Sequence, residues 1–382
     1  MYKLYFTNKD FTPNKIPKEK VPLLVKEDMS FEEIPTLWFF DLAINSGRTQ
    51  SPETWRGYAE AIVDFFNTCE ANGWDWKKVK KEHLVAYRNN MLNNNNCFGR
   101  PYSKSTINGY ITRVCIFYEW CVKKKYIKEL PFEKELVKVG KDVTNQYLLG
   151  HLHKQTAFRN ELIVRTNKKI PHCLSKQEFN SVIKELGERD SLIVKWSVLT
   201  GMRRKEVLAL KVKDIPSSNQ VTTPIVKMDI TITKGNKPRS IFVPQSLIDE
   251  TNKYIKFTRR TIAQKYDTLK TVDSLWIAER TGLPISKKTV EASFRDAVKN
   301  SGVNCTFHHL RHTYAIKMLS VLTKQKQTDN TGLNPLKTLQ MLLGHSNIST
   351  TMIYLEALSI DINEIENSLK NYYGDILDEK TI

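Results

Sequence analysis

No stretch of this 382-residue chain approaches the roughly 18 consecutive apolar residues that a membrane-spanning helix requires. The first residues, Met1-Tyr2-Lys3-Leu4-Tyr5-Phe6, lack the long apolar stretch and small-residue cleavage site of a secretory signal. The six cysteines (Cys69, Cys97, Cys115, Cys121, Cys173 and Cys305) form no Cys-x-x-Cys pair and no regular framework. They read as reduced, mostly buried thiols. No internal repeat is present. Acidic residues are in deficit: 41 Asp+Glu stand against 59 Lys+Arg, a formal net charge of +18. These absences point to a cytoplasmic, nucleoid-associated protein. An excess of positive charge on this scale favours a polyanionic partner, either nucleic acid or an acidic membrane surface.

What is present is an ordinary globular mix, 40% hydrophobic and 26% charged, in a chain long enough for two or three domains. Residues 1–30 are basic and punctuated by Pro13, Pro17 and Pro22, and read as an extended arm or appendage. Residues 31–132 are helical in pattern. Ser51-Pro52-Glu53 is a helix start, with a capping hydroxyl, proline at the first helical position and an acid in the first turn. Tyr58, Ile62, Phe65 and Phe66 follow at helical spacing, and Asn72-Gly73 supplies the stop. A second long helix begins near Ser103 or Ser105 and carries Ile107, Ile111, Val114, Ile116, Phe117, Tyr118 and Trp120. Shorter helices near 31–46 and 81–93 complete a four-helix domain. Residues 133–170 form a long, polar, basic connection, too long for a simple tether.

From 171 to 382 the texture changes. Ser175 and Glu178 form a capping box at a helix entry. Residues 225–233 alternate as a strand, Gly235-Asn236 turns, and Arg239–Val243 returns as a second strand. The rest is helical. The expected class is therefore α+β, mainly α, with one small antiparallel sheet amid helices. Residues 361–372 read as a terminal amphipathic helix, with Ile362, Ile365 and Leu369 on one face, suited to docking into a neighbouring subunit.

Three segments are poor as pure structure: Thr200-Gly201-Met202-Arg203-Arg204-Lys205-Glu206, Phe307-His308-His309-Leu310-Arg311-His312, and Leu343-Gly344-His345-Ser346 with Tyr354 nine residues beyond His345. His308 and Arg311, at i and i+3, share one helix face. Arginine forks match the charged non-bridging oxygens of a phosphoryl transition state. A phenol with a pKa near 10 needs a base or a cationic site to attack, and a departing alkoxide needs a proton donor. Two arginines, two histidines, a hairpin lysine and a tyrosine suit a phosphodiester.

These segments resemble the tyrosine recombinases, the phage integrase and Xer-like family, over roughly residues 31–372. The resemblance implies a four-helix, SAM-like core-binding domain and a mixed catalytic domain that together clamp duplex DNA. It implies that Arg203 and Arg311 clamp the scissile phosphate, with Glu206 orienting Arg203. Lys234 matches the hairpin general acid, although Lys237 lies only three residues away. His308 would assist Tyr354 or bind the transition state, and His345 would hydrogen-bond the phosphate. Tyr354 would attack, leaving a 3′-phosphotyrosine and a free 5′ hydroxyl, with neither ATP nor a metal required. The family acts as a tetramer on two specific duplex sites, in some systems with accessory DNA-bending or directionality factors. The role expected here is integrase or transposase of a mobile element, with a chromosome or plasmid dimer resolvase as runner-up. A type IB topoisomerase-like relaxing enzyme and an inactive DNA-binding protein are the alternatives. Candidate DNA contacts are Arg48, Thr54, Arg56, Lys104, Ser105, Arg113, Arg204, Lys237 and Arg239, mostly to backbone.

Duller readings attach to several residues. His308 and His312 have metal-ligand spacing, but His-His-Leu-Arg-His lacks the glutamate of His-Glu-x-x-His, so no metal is expected. His309 is expected to point away from the face of His308, and His312 to pack against the core. The segment 324–332 extends what is usually a short turn in the family and reads as an extra contact loop or a disordered segment.

Overall fold

The computed structural model describes residues 1–45, 51–96, 99–138, 156–166, 171–220, 223–231, 238–329 and 334–358. The chain divides into two compact units, Met1–Lys168 and Lys169–Ile382. It is mainly helical, and the sheets among the described residues are three antiparallel two-stranded ribbons.

In the first unit, α1 (Glu33–Phe40), α2 (Pro52–Ala71), α3 (Lys81–Asn93) and α4 (Lys104–Lys123) surround an aromatic core. α2 buries Ile62, Phe65, Phe66 and Cys69, a 3–4 spacing that places one stripe inward. Phe117 of α4 meets Trp38, Phe66, Trp76 and Tyr118 with ring centroids 5.2–5.9 Å apart. Truncating such a side chain to alanine costs about 3–5 kcal/mol. Ser103 caps α4 by accepting from the Thr106 N–H. Ser51 leaves its cap unmade: its hydroxyl donates to Glu53 instead, at 2.7 Å.

The N-terminal segment is not an arm. β1 (Lys3–Phe6) pairs with β2 (Pro22–Val25), from Lys3↔Val25 to Phe6↔Pro22. Leu24 is fully buried in the helical core, and the Tyr2 ring meets Phe66 edge-on at 5.5 Å. The Met1 ammonium reaches Glu70. Alternating apolar residues let this ribbon lie on the helices, and that burial outweighs the basic, proline-rich composition. The segment expected as a connection also carries structure, a ribbon of β3 (Lys134–Lys138) and β4 (Thr156–Asn160), and falls within the first unit.

The second unit is built around α6 (Glu188–Thr200), where Leu192, Ile193, Val194, Trp196 and Ser197 are buried on several faces, as expected of a central helix. Around it lie α5 (Lys176–Lys184), α7 (Arg204–Leu208), α8 (Gln245–Tyr254), α9 (Arg260–Lys265) and α10 (Lys287–Ser301). α5 opens with both halves of the Ser175–Glu178 capping box. β5 (Ile225–Ile230) pairs with β6 (Arg239–Pro244), from Ile225↔Pro244 to Ile230↔Arg239. A smaller apolar cluster joins α11 (Phe307–Asp329), α12 (Pro335–Leu343) and α13 (Ser349–Leu358) through Leu319, Leu339, Leu343 and the ring of Tyr354. The segment expected as an extra contact loop or as disordered is in part helix, since α11 runs through Asp329. The proposed docking segment 361–372 lies outside the described residues.

Candidate active site

Two glycines set the frame. Gly201 ends α6 at φ +68° and Gly344 ends α12 at φ +63°, a left-handed conformation that glycine adopts without a Cβ clash. A Cβ on Gly201 would lie 2.4 Å from Tyr314, and one on Gly344 would lie 2.9 Å from Arg239. The carbonyls at these two helix ends converge on one side chain. Arg311 donates from Nη1 to the Gly201 carbonyl and from Nη2 to the Leu343 carbonyl, both at 2.6 Å. Its side chain is almost fully buried. The negative ends of two helix dipoles thus compensate a guanidinium taken out of water. Burial, with Arg203 and Arg239 nearby, lowers the Arg311 pKa to about 9, which still leaves the group charged at neutral pH. Among the described residues these two bonds engage two of its five N–H groups.

Glu206 is the second organiser. Its buried carboxylate accepts from the Arg203 backbone N–H at 2.8 Å and from Arg203 Nη1 at 2.9 Å. It also takes both Arg239 Nη groups, at 3.0 and 2.6 Å. Burial alone would raise its pKa. The hydrogen bonds from Arg239 and from the Arg203 backbone outweigh that effect, and the carboxyl lies below its usual value. Arg239 additionally donates from Nε to the Leu342 carbonyl at 3.1 Å, and its side chain is 6% exposed. The expectation of a DNA contact at Arg239 is therefore corrected: this cation ties Glu206 to the end of α12. Strand alternation carried the signal, because Arg239 shares a face of β6 with the buried Ile241 and Val243.

Arg203, Arg311 and His308 line one cavity of about 210 Å³, together with Arg204, Glu291 and Thr306. Arg204 stacks over Phe307 and pairs with Glu291 at 3.3 Å, so it belongs to the wall of this cavity. His308 stands at the open side. Desolvation, followed by Arg311, His309 and Arg203, lowers its pKa.

Four rings run in series from there: His308, His312, Tyr354 and His345, with successive centroids 4.4, 5.5 and 6.4 Å apart. The Tyr354 hydroxyl lies 3.0 Å from His312 Nδ1. His312 is thus not the core residue expected from sequence, although its i+4 relation to His308 marks the same helix face. His309 borders the row, its ring 6.0 Å from that of His312. Its Nδ1 accepts from the Thr306 N–H, and its ring meets His172 at 5.5 Å. His345 is held by Thr351, whose hydroxyl lies 3.0 Å from Nδ1, while its backbone carbonyl accepts from Gln340. Burial, then neighbouring cations and rings, depresses His312 and His345 to a pKa of about 4, so both are neutral at pH 7. Burial raises the Tyr354 pKa against the opposing pull of Arg311 and Arg203. The phenol is therefore protonated at neutral pH, and its attack requires a base.

Lys234, Lys237 and Arg48 lie outside the described residues. In the first unit, Thr54, Lys104 and Ser105 are exposed. Arg56 is exposed but pairs with Glu60 at 2.8 Å, and Arg113 lies half-buried over Tyr58. Among the described residues there is no group of three or more His, Cys, Asp or Glu side chains placed to hold a metal ion. No helix among them is long and apolar enough to cross a membrane.

A mainly helical fold that sets two arginines and a histidine around a small cavity, with a row of rings leading from that histidine to a buried tyrosine, has the side chains that phosphoryl transfer calls for. The profile of the phage integrase family matches residues 172–359. The tyrosine recombinase XerA of Pyrococcus furiosus is 31% identical over 220 residues, which cover 54% of this chain and 68% of that protein. The tyrosine recombinase XerC of Bacillus pumilus is 25% identical over 321 residues, covering 80% and 87%. Among solved structures, the XerH site-specific recombinase bound to palindromic difH substrate superposes with a TM-score of 0.56 at 17% identity, covering 84% of this chain and 80% of that one. A lambda integrase dimer bound to a COC′ core site gives 0.52 at 15% identity, covering 83% and 92%. The chain belongs to the tyrosine recombinase family and is a site-specific DNA recombinase of that type.

Proposed function

We propose that this protein cleaves and rejoins duplex DNA at specific sites through a 3′-phosphotyrosine on Tyr354. The observation that carries this reading is the alignment of Tyr354 with His312 and His345 beside a cavity walled by Arg203, Arg311 and His308. Arg203 and Arg311 clamp the non-bridging oxygens, and Glu206 orients Arg203. His345, fixed by Thr351, donates to the phosphate from its other ring nitrogen. Lys234 protonates the departing 5′ oxygen. The ester stores the bond energy, so the reaction needs neither ATP nor a metal and proceeds in chelator.

Duplex DNA as the partner is supported by the charge of +18 and by the DNA complexes in which the XerH and lambda integrase structures were captured. Synapsis of two sites calls for a tetramer, and residues 361–372 are the segment proposed to link its subunits. Integration or transposition of a mobile element is the biological role we favour. It rests on the long 133–170 connection, since the N-terminal ribbon is built into the first unit.

The test begins by selecting bound duplexes from a random pool, then nicking the selected site to trap cleavage. Wild type should give a covalent adduct on denaturing gels, and Tyr354→Phe should bind DNA without one. An adduct formed by Tyr354→Phe overturns the assignment. Sequencing genomic junctions in cells expressing the protein separates integration from dimer resolution.

A further inference from the structure

We propose that His312 is the group that orients the Tyr354 hydroxyl and accepts its proton as the phenol attacks phosphorus. The proposal rests on the reading of Tyr354 as nucleophile. Its ground is positional. One turn of α11 presents three side chains with three destinations. Arg311 turns inward to the Gly201 and Leu343 carbonyls, His308 opens onto the cavity with Arg203, and His312 reaches Tyr354. His308 touches the His312 ring at 4.4 Å and makes no hydrogen bond among the described residues. The imidazole in contact with the reacting oxygen is therefore His312, one ring deeper than the histidine that the sequence pattern emphasises.

The chemistry fixes the tautomer. A neutral imidazole with its proton on Nε2 accepts the phenolic O–H at Nδ1, whereas an imidazolium would donate to Oη and have no place for a second proton. The groups facing His312 are His308, His309 and Arg311 on its own helix and Tyr354 on α13. Together with burial they hold the ring neutral. A phosphodiester entering beside Arg203 and Arg311 offsets their positive field, and the ring gains basicity when the proton must move.

In the forward step the Oη–H bond breaks, Oη–P forms and P–O5′ breaks. The proton passes to His312 Nδ1, and the leaving oxygen takes its own proton from the general acid, the role proposed for Lys234. In rejoining, a 5′ hydroxyl attacks and gives its proton back to the deprotonated general acid, O5′–P forms, Oη–P breaks, and His312 returns its proton to the phenolate.

The experiment is single-turnover cleavage of a nicked suicide duplex by the full chain. It is repeated on a duplex with a 5′-bridging phosphorothiolate at the scissile position, whose thiolate leaves without protonation. His312→Asn keeps an acceptor at the Nδ1 position but cannot take a proton, and His312→Ala removes both. Both variants should bind DNA as wild type and cleave on the order of 100-fold slower on both substrates. Lys234→Ala should be slow on the oxygen substrate and restored on the sulfur one. The acid limb of the wild-type pH–rate profile should be absent in His312→Asn. Thermal melting of each variant separates loss of fold from loss of chemistry. A wild-type rate in His312→Asn overturns the proton transfer, and a wild-type rate in His312→Ala overturns the contact altogether. Rescue of His312→Ala by the phosphorothiolate moves the residue to the leaving-group side and also overturns the proposal. If Tyr354→Phe still forms adduct, the nucleophile assignment fails instead.

Discussion

Glu206→Gln tests the electrostatic architecture most directly. In the wild type one buried carboxylate faces Arg203 and Arg239, with Arg311 close by, and accepts four hydrogen bonds. The amide keeps the shape but removes the charge, and its NH₂ turns donors toward donors. Removing one partner of a buried ion pair costs about 3–5 kcal/mol, because the remaining charges stay desolvated and unpaired. In a unit of this size each kcal/mol moves the melting temperature by about 2–4 °C, so the transition should fall by roughly 6–20 °C. Arg203 loses the bond that aims it into the cavity. A charge-assisted hydrogen bond contributes about 1.5–3 kcal/mol, so suicide-substrate cleavage should slow by roughly 10- to 150-fold even below the melting transition.

The pH response has a definite sign. The folded carboxyl titrates below its usual value, so its contribution is present above the unfolded pKa and is lost as pH falls through the folded one. Differential scanning calorimetry across pH 3–7 should show a shallower acid limb in Glu206→Gln. An unchanged melting temperature with wild-type cleavage would refute the claim that Glu206 organises the arginines.

Gly201→Ala should destabilise the second unit by more than about 1–2 kcal/mol, the usual cost of a left-handed alanine, because its Cβ also meets Tyr314; chemical denaturation reads this directly. Thr351→Val should free the His345 ring and slow cleavage about tenfold while leaving DNA affinity unchanged, measured by single-turnover kinetics beside a gel-shift titration. His312 and His345 are held neutral in the fold, with pKa values near 4. The unfolded chain therefore takes up protons first as pH drops below about 6.5, and stability should fall from there to about pH 4. A His312→Asn, His345→Asn double variant should show a shallower slope in melting experiments, the remainder coming from His308 and His309, which are also lowered.

Much of this arrangement was legible locally. The Ser175–Glu178 box, the long helices through Phe65 and Phe117, and the ribbon at 225–244 follow from periodicity and capping, which depend on neighbours in sequence. Elsewhere local signals misled. Ser51 looked like a cap, but its hydroxyl found Glu53 first. The proline-rich N-terminus looked like an arm because composition does not reveal that Leu24 finds a fully buried place against α1 and α2.

At the site, the resemblance to the tyrosine recombinases pointed to Arg203, Glu206, Lys234, His308, Arg311, His345 and Tyr354, and of these the described residues bring all but Lys234 into one neighbourhood. Sequence alone left open which partner each would meet. That Arg311 is held by carbonyls at the ends of α6 and α12, that Arg239 turns inward to Glu206, and that His312 touches Tyr354 are contacts across 32 to 110 positions of chain. They arise only when packing closes helices on one another. Burial then makes each unpaired charge too costly to leave alone, and so decides its partner.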